Sequence, residues 1–220
     1  MKKNWWKILS VLILCYVIVA GLTGRVPRQP ILNETVRNLY FHVTMWFAMI
    51  IYLIISFVYS IKYLRSNQIT HDDYASEYAQ TGILFGIIGY VTGAIWGNFT
   101  WGDPLPKDPK IISVAIAMLA YFAYMVLRGA FEDEQRRARI AGIYNIFAFV
   151  MFMVLVWILP RLADSLHPGN GGNPGFKIYD NDNIMKPVFY SGIVGWTLLG
   201  VWMTSLRVRM KTLERNLIDN

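Results

Sequence analysis

Residues 39–61 read LYFHVTMWFAMIIYLIISFVYSI and contain no Asp, Glu, Lys or Arg. A helix needs about 20 mostly apolar residues to cross the hydrocarbon core of a bilayer. Backbone N–H and C=O groups cannot be left unpaired in lipid, so a run of this length is expected to be a helix and not a strand. The stretch therefore predicts a transmembrane helix and an integral membrane protein.

Five more apolar stretches of similar length follow the same pattern, at residues 5–22, 79–99, 111–127, 140–159 and 188–206. Apolar residues make up 55% of the chain and charged residues 16%, against about 25% charged in soluble domains. With a formal net charge of +7, this composition excludes a disordered tail, a collagen-like chain and a disulfide scaffold, and argues against a nucleic-acid-binding module. We predict an all-α polytopic membrane protein with six transmembrane helices in one domain, residues 1–220.

The first apolar stretch raises a question of processing. Lys2, Lys3 and Lys7 precede or enter it, as in a signal peptide, but Ala20-Gly21-Leu22 matches an A-x-A cleavage site poorly. We expect the stretch to be a retained membrane anchor.

The distribution of basic residues predicts the orientation. With six spans, both chain ends lie on one side, together with segments 62–77 and 128–139. Thirteen of the 21 Lys and Arg residues fall on that side and eight on the other. The positive-inside rule therefore predicts that both termini are cytoplasmic.

Small residues recur along the third span, which suggests close helix packing rather than a ligand contact. The spacing allows neighbouring helix backbones to approach each other closely in lipid, and the residues involved are Gly82, Gly86, Gly89, Gly93 and Gly97.

Three histidines and one cysteine limit the chemistry. Cys15 is the single cysteine of the sequence. One cysteine cannot form a C-x-x-C redox pair, a thiolate zinc site or a covalent C-x-x-C-H haem attachment. No classical catalytic constellation is present, so enzymatic activity stays open. His71 lies in the expected inner loop at 62–77, where a solvated surface histidine is the simplest interpretation.

The other two histidines are expected on the outer face. His42 lies near the outer end of the second span and His167 just after the fifth, and counting spans puts both on one side of the membrane. The same side carries an aromatic loop at about 96–110, WGNFTWGDPLPKDPK, and a Gly/Pro-rich loop at about 161–186. Loops this long are usually functional or disordered.

Two neutral imidazoles beside aromatic side chains suit six-coordinate haem iron. Tryptophan and phenylalanine could pack on the macrocycle, and basic residues could meet its propionates, with Arg25, Arg28, Arg37 and Lys110 as candidates. An interfacial histidine bonded to a carbonyl is at least as common, and Trp and Tyr are enriched at membrane interfaces without any ligand. The residues alone leave both interpretations open.

The loop and the histidines together resemble a known family. The loop contains GAIWG at 93–97 and WG at 101–102, then Asp108 and Lys110. It is preceded by Tyr40-x-His42-Val43 with Trp46 and followed by Ser165-Leu166-His167-Pro168-Gly169. This order is similar to the tryptophan-rich "WWD" loop and flanking histidines of cytochrome c maturation proteins, specifically haem exporter protein C. Where the family usually has three central tryptophans, this loop has Pro104, Leu105 and Lys107, so the aromatic area is smaller.

The resemblance implies a function and the roles of the residues. His42 and His167 would be the axial ligands of a transient, non-covalent haem b, and Trp96, Phe99 and Trp101 the apolar rim. Asp108 would hold the loop or contact a partner. Family members hold haem at the periplasmic face of the bacterial inner membrane and present it to a membrane-anchored haem chaperone. They work with ATP-binding-cassette transporter subunits and a small single-span accessory protein.

Three other functions are considered. A respiratory membrane anchor with haem b is the main alternative, although such proteins usually place their histidines inside the spans. A small-solute transporter would need ionisable residues or broken helices at mid-membrane, and the span centres are almost free of charge. A structural subunit whose histidines bind nothing is the third.

Overall fold

Six helices form the chain in a computed structural model, which describes residues 4–28, 32–103, 107–163, 165, 167 and 183–218. No strand occurs among these residues, and all six helices are long and apolar enough to cross a membrane. The prediction of an all-helical, six-span protein is confirmed. The helices are α1 (Trp5–Thr23), α2 (His42–Ser66), α3 (Ile69–Trp101), α4 (Pro109–Gly129), α5 (Glu134–Met153) and α6 (Lys186–Ile218).

Three short segments with other helical geometry lie beside the long helices. A 3₁₀ helix, Asn33–Tyr40, leads into α2. The end of α5 widens into a π-helical turn, Val154–Ile158, and then tightens into a 3₁₀ turn, Leu159–Arg161, that contains Pro160. Proline cannot donate the next helical hydrogen bond, which accounts for the end of the helix shortly before Ser165 and His167.

The main core lies between α2, α3, α4 and α5, and α6 packs along its side. The interface of α2 with α3 is the most extensive, and the glycines of α3 explain it. A Cβ on Gly82 would lie 2.8 Å from Leu53 Cδ2, and one on Gly86 would lie 2.9 Å from Met49 Sδ. A side chain at either position would force Leu53 or Met49 to shift, so the predicted packing role is confirmed for Gly82 and Gly86.

A second core joins α1 to α6 and to the 3₁₀ helix Asn33–Tyr40. Its buried side chains are Val17, Val36, Tyr40, Met185, Val188 and Phe189. Ser10 in α1 also donates a hydrogen bond to the Gly195 carbonyl of α6. The apolar stretch at the N-terminus is therefore a packed part of the bundle.

The two ends of the bundle differ in chemistry. One end, here the histidine end, carries the N-termini of α2 and α4 and the C-terminus of α3. The other, here the carboxylate end, carries the N-terminus of α3 and the C-termini of α4 and α6. At the carboxylate end, Asp72 and Arg128 form a bidentate ion pair, with both N···O distances at 2.7 Å.

The beginning of α3 differs from the sequence interpretation. Segment 62–77 was expected to be an inner loop, but α2 extends to Ser66 and α3 begins at Ile69. The polar residues are helical because their charges are paired: Asp73 binds Arg215, and Glu77 binds Arg207 and Lys211. Both long helices, α3 and α6, continue beyond their apolar segments for this reason.

Candidate functional site

The two outer histidines lie at the histidine end and are joined by a chain of ring contacts. His42 and Trp96 have ring centroids 6.2 Å apart, Trp96 and Trp101 5.5 Å, and Trp101 and His167 5.8 Å. Trp46 meets the other side of His42 edge-on, at 6.1 Å. Residues from α2, the end of α3 and the segment after α5 thus form one cluster.

His42 is fixed by the helix pair α2–α3. It is the first residue of α2, and only 8% of its surface is exposed. Its Nδ1 lies 2.8 Å from the Gly89 carbonyl oxygen and 3.3 Å from Thr92 Oγ1. A carbonyl only accepts, so Nδ1 carries the proton and donates it. In the neutral imidazole this leaves the lone pair on Nε2.

Two glycines of α3 create the space for these rings. A Cβ at Gly93 would stand 2.5 Å from His42 Cε1, and one at Gly89 would stand 2.9 Å from Trp46 Cε2. Both positions exclude any larger residue without a shift of the rings. The glycine pattern therefore serves the site as well as helix packing.

His167 is held through Asp108 and Ser165. Asp108 is 2% exposed and caps α4, where its Oδ1 accepts the Lys110 N–H at 2.9 Å. The Ser165 hydroxyl donates to the same carboxylate, at 3.0 Å from Oδ1 and 2.8 Å from Oδ2. Ser165 Oγ in turn accepts the backbone N–H of His167 at 3.1 Å. Asp108 thus ties the segment after α5 to the start of α4.

The His167 ring faces the same carboxylate. Its Nδ1 lies 3.3 Å from Asp108 Oδ1, although no hydrogen bond of good angle to this nitrogen forms within the described part of the chain. A carboxylate beside Nδ1 favours the tautomer that is protonated there, which again leaves Nε2 unprotonated.

Trp96 is also fixed by a hydrogen bond. Trp96 Nε1 donates to Thr35 Oγ1 at 3.1 Å, and the Thr35 hydroxyl donates to the Leu32 carbonyl at 2.6 Å. The 3₁₀ helix before α2 therefore orients the indole that stands between His42 and Trp101.

Comparison with known proteins decides the family. The family model described as heme exporter protein C matches residues 1–220. The chain belongs to the heme exporter protein C family. The family predicted from the sequence is confirmed.

Individual relatives of the heme exporter protein C family agree. The chain is 31% identical to the heme exporter protein C of Haemophilus influenzae over 63% of its own length and 55% of that protein. It is 27% identical to that of Rhodobacter capsulatus over 84% of its length and 76% of the relative. It also matches a cytochrome c biogenesis protein CcsA from Pelargonium hortorum, at 31% identity over 47% of its length and 31% of that protein. The chain spans little more than half the length of the Haemophilus protein.

Among the residues expected at the site of this heme exporter family chain, Phe99 stands apart. Its side chain is 76% exposed, and among the described residues it makes none of the ring contacts that link the two histidines. His71 lies at the carboxylate end, where its Nδ1 pairs with Ser66 Oγ at 2.9 Å. The structure thus brings together His42, His167, Trp96, Trp101 and Asp108.

Two of the basic residues considered as partners of the haem propionates, Arg37 and Lys110, have different contacts. Arg37 donates to the Gly21 and Gly24 carbonyls at the end of α1 and pairs with Glu34. Lys110 is in the first turn of α4, where its backbone N–H donates to the N-cap residue Asp108 at the histidine end. Arg37 therefore caps a helix, and Lys110 is the better placed of these two cations.

The aromatic loop expected at about 96–110 is shorter in the structure, because α3 continues to Trp101 and α4 begins at Pro109. Parts of both outer loops lie outside the described residues. These are 104–106 in the aromatic loop, with Pro104 and Leu105, and 164, 166 and 168–182 in the Gly/Pro-rich loop.

Sequence reasoning missed Ser165, Thr35 and the steric role of Gly93. The role of Ser165 could have been found from the sequence. A serine in a turn commonly accepts the backbone N–H of the residue two positions later, which here is His167, just before Pro168. Thr35 gave no such signal, because its partner Trp96 is distant in sequence.

Proposed function

We propose that this protein binds haem b non-covalently between His42 and His167 and passes it on during cytochrome c maturation. The single observation that carries the proposal is the chain of ring contacts from His42 through Trp96 and Trp101 to His167. It places two imidazoles and two indoles at one end of a membrane-spanning bundle. Membership in the heme exporter protein C family supports the same conclusion.

The histidines fit the group chemically. A histidine that ligates a metal commonly donates its other ring N–H to a backbone carbonyl or a carboxylate. His42 meets the first condition through Gly89, and His167 faces the carboxylate of Asp108. Each ring would thus have an unprotonated Nε2 with which to hold a haem iron.

The surroundings suit an amphipathic disc. The indoles of Trp96 and Trp101 provide apolar area, while Lys110 provides a positive charge for a propionate. We place this end at the periplasmic face of the bacterial inner membrane, since most basic residues outside the spans belong to the opposite side.

The proposal includes partners. A membrane-anchored haem chaperone would receive the haem at the histidine end. ATP-binding-cassette transporter subunits and a small single-span accessory protein would bind this chain within the membrane. Membership in a family whose relatives are named for heme export and cytochrome c biogenesis supports these assignments.

Alanine substitution at each histidine tests the proposal. The protein is purified in detergent with haem added during expression, and the Soret absorbance per protein is measured. We expect His42→Ala and His167→Ala to lose most of the Soret band, because each removes one iron ligand. His71→Ala is the matched control and should keep the wild-type band, since His71 lies at the carboxylate end. Equal Soret bands in all three variants would exclude the ligand assignment.

A further inference from the structure

The two candidate ligands are held in very different ways. His42 belongs to a long helix, is packed against Gly93, Trp46 and Trp96, and donates directly to a helix carbonyl. His167 lies outside the regular helices, and its backbone is attached through the hydroxyl of Ser165 to Asp108. The first ligand is part of the scaffold, whereas the second depends on a side-chain bridge.

We propose that His167 is the exchangeable ligand and that Ser165 is the positioning residue that latches it. The proposal rests on the proposed function, since it concerns how the same site holds and releases haem. Breaking the Ser165–Asp108 contact would free His167 without disturbing His42.

The geometry shows how the latch works. Ser165 Oγ gives its only proton to the Asp108 carboxylate and uses a lone pair to accept the His167 N–H. A hydrogen bond to an ionised carboxylate is about twice as strong as one between neutral groups. Asp108 is itself buried and caps α4. The Ser165 hydroxyl therefore connects the His167 backbone to a buried carboxylate at the start of α4.

The same carboxylate also orients the His167 ring. Asp108 Oδ1 lies 3.3 Å from His167 Nδ1. The same buried carboxylate therefore lies beside the His167 ring and is linked through Ser165 to the His167 backbone. A change at the start of α4, such as the docking of a partner on this end, would reach His167 through Asp108 and Ser165.

Cyanide exchange measures the latch. Cyanide replaces one imidazole on ferric iron: the iron–nitrogen bond breaks, an iron–carbon bond forms, and no electron moves. In purified haem-loaded protein, we expect Ser165→Ala to bind cyanide about tenfold faster than the wild type, because the N–H of His167 loses its acceptor. Ser165→Thr keeps a hydroxyl and should restore the wild-type rate.

Ser10→Ala is the matched control. Ser10 is also buried and also donates to an oxygen, but it lies between α1 and α6 and away from the histidines. Its exchange rate should stay at the wild-type value. If Ser165→Ala retains no haem, Ser165→Cys is measured instead. A thiol is a weak hydrogen-bond donor, so Ser165→Cys should bind cyanide faster than Ser165→Thr.

The outcomes separate the two proposals. Loss of the Soret band in both histidine variants together with a wild-type exchange rate in the Ser165 variants would overturn the latch alone. Equal acceleration in Ser165→Ala and Ser10→Ala would also overturn it, as a general loosening of the bundle. Unchanged Soret bands in the histidine variants would overturn the proposed function itself.

Discussion

At the scale of the residue, the site depends on hydrogen bonds between residues that are distant in sequence. The sequence shows a histidine near the end of a span, but it cannot show that its Nδ1 meets the Gly89 carbonyl, 47 residues along the chain. That contact depends on the rotation and register of α2 against α3, which apolar patterns leave open. The sequence was enough to choose the candidate site residues, which are His42, His167, Trp96, Trp101 and Asp108. It was not enough to predict their hydrogen-bond partners.

Gly93 is the residue whose effect is easiest to predict. A Cβ there would lie 2.5 Å from His42 Cε1, so Gly93→Ala must push the ring away from Gly89. Forcing a side chain off its rotamer costs roughly 1 kcal/mol, and the Nε2 atom is displaced as well. We expect haem affinity to fall about tenfold, since 1.4 kcal/mol corresponds to one decade. Haem titration of the purified variant measures this.

Gly142→Ala is the control for that substitution. Gly142 also lies inside a helix, but the nearest atom to its new Cβ would be 3.6 Å away, on Leu64. Haem affinity should not change. A Gly93→Ala variant that binds haem as tightly as Gly142→Ala would contradict the steric role of Gly93.

At the scale of the element, the ends of the helices departed from the sequence prediction. The apolar cores of the spans were predictable because lipid requires them. The extension of α3 back to Ile69 was not, because it depends on partners from other helices. Asp72 pairs with Arg128, 56 residues along the chain, and Asp73 with Arg215, 142 residues along. A single sequence does not reveal such pairs.

The Asp72–Arg128 pair should be important for stability. Its side chains are 4% and 11% exposed, so removing one partner leaves a buried charge. Such a loss typically costs about 3–5 kcal/mol. We expect Arg128→Met to lower the unfolding free energy by about that amount and Asp72→Asn/Arg128→Met to recover part of it. Thermal or denaturant unfolding in detergent measures both.

Glu34→Gln provides the comparison. Glu34 pairs with Arg37, but its side chain is 75% exposed. Exposed ion pairs contribute about 0–1 kcal/mol, so this variant should unfold like the wild type. If Arg128→Met were as stable as Glu34→Gln, the carboxylate end would not hold α3 and α4 together.

At the scale of the whole molecule, two distant parts of the chain meet at one end of the bundle. The six-span fold follows from composition and the lengths of the apolar stretches, and the structure confirms it. The four crossings between the start of α2 and the end of α5 also place His42 and His167 on one face. The sequence could predict this shared face. It could not predict the Ser165–Asp108 bridge, which forms between two segments joined only through the fold.

The ferric EPR spectrum of the purified, haem-loaded protein tests the central claim most directly. Two imidazole ligands on one iron give a low-spin spectrum. We predict a low-spin signal in the wild type that is converted to high spin, or lost with the haem, in both His42→Ala and His167→Ala. A high-spin wild-type spectrum, or a low-spin signal that survives in either variant, would contradict the binding of haem between His42 and His167.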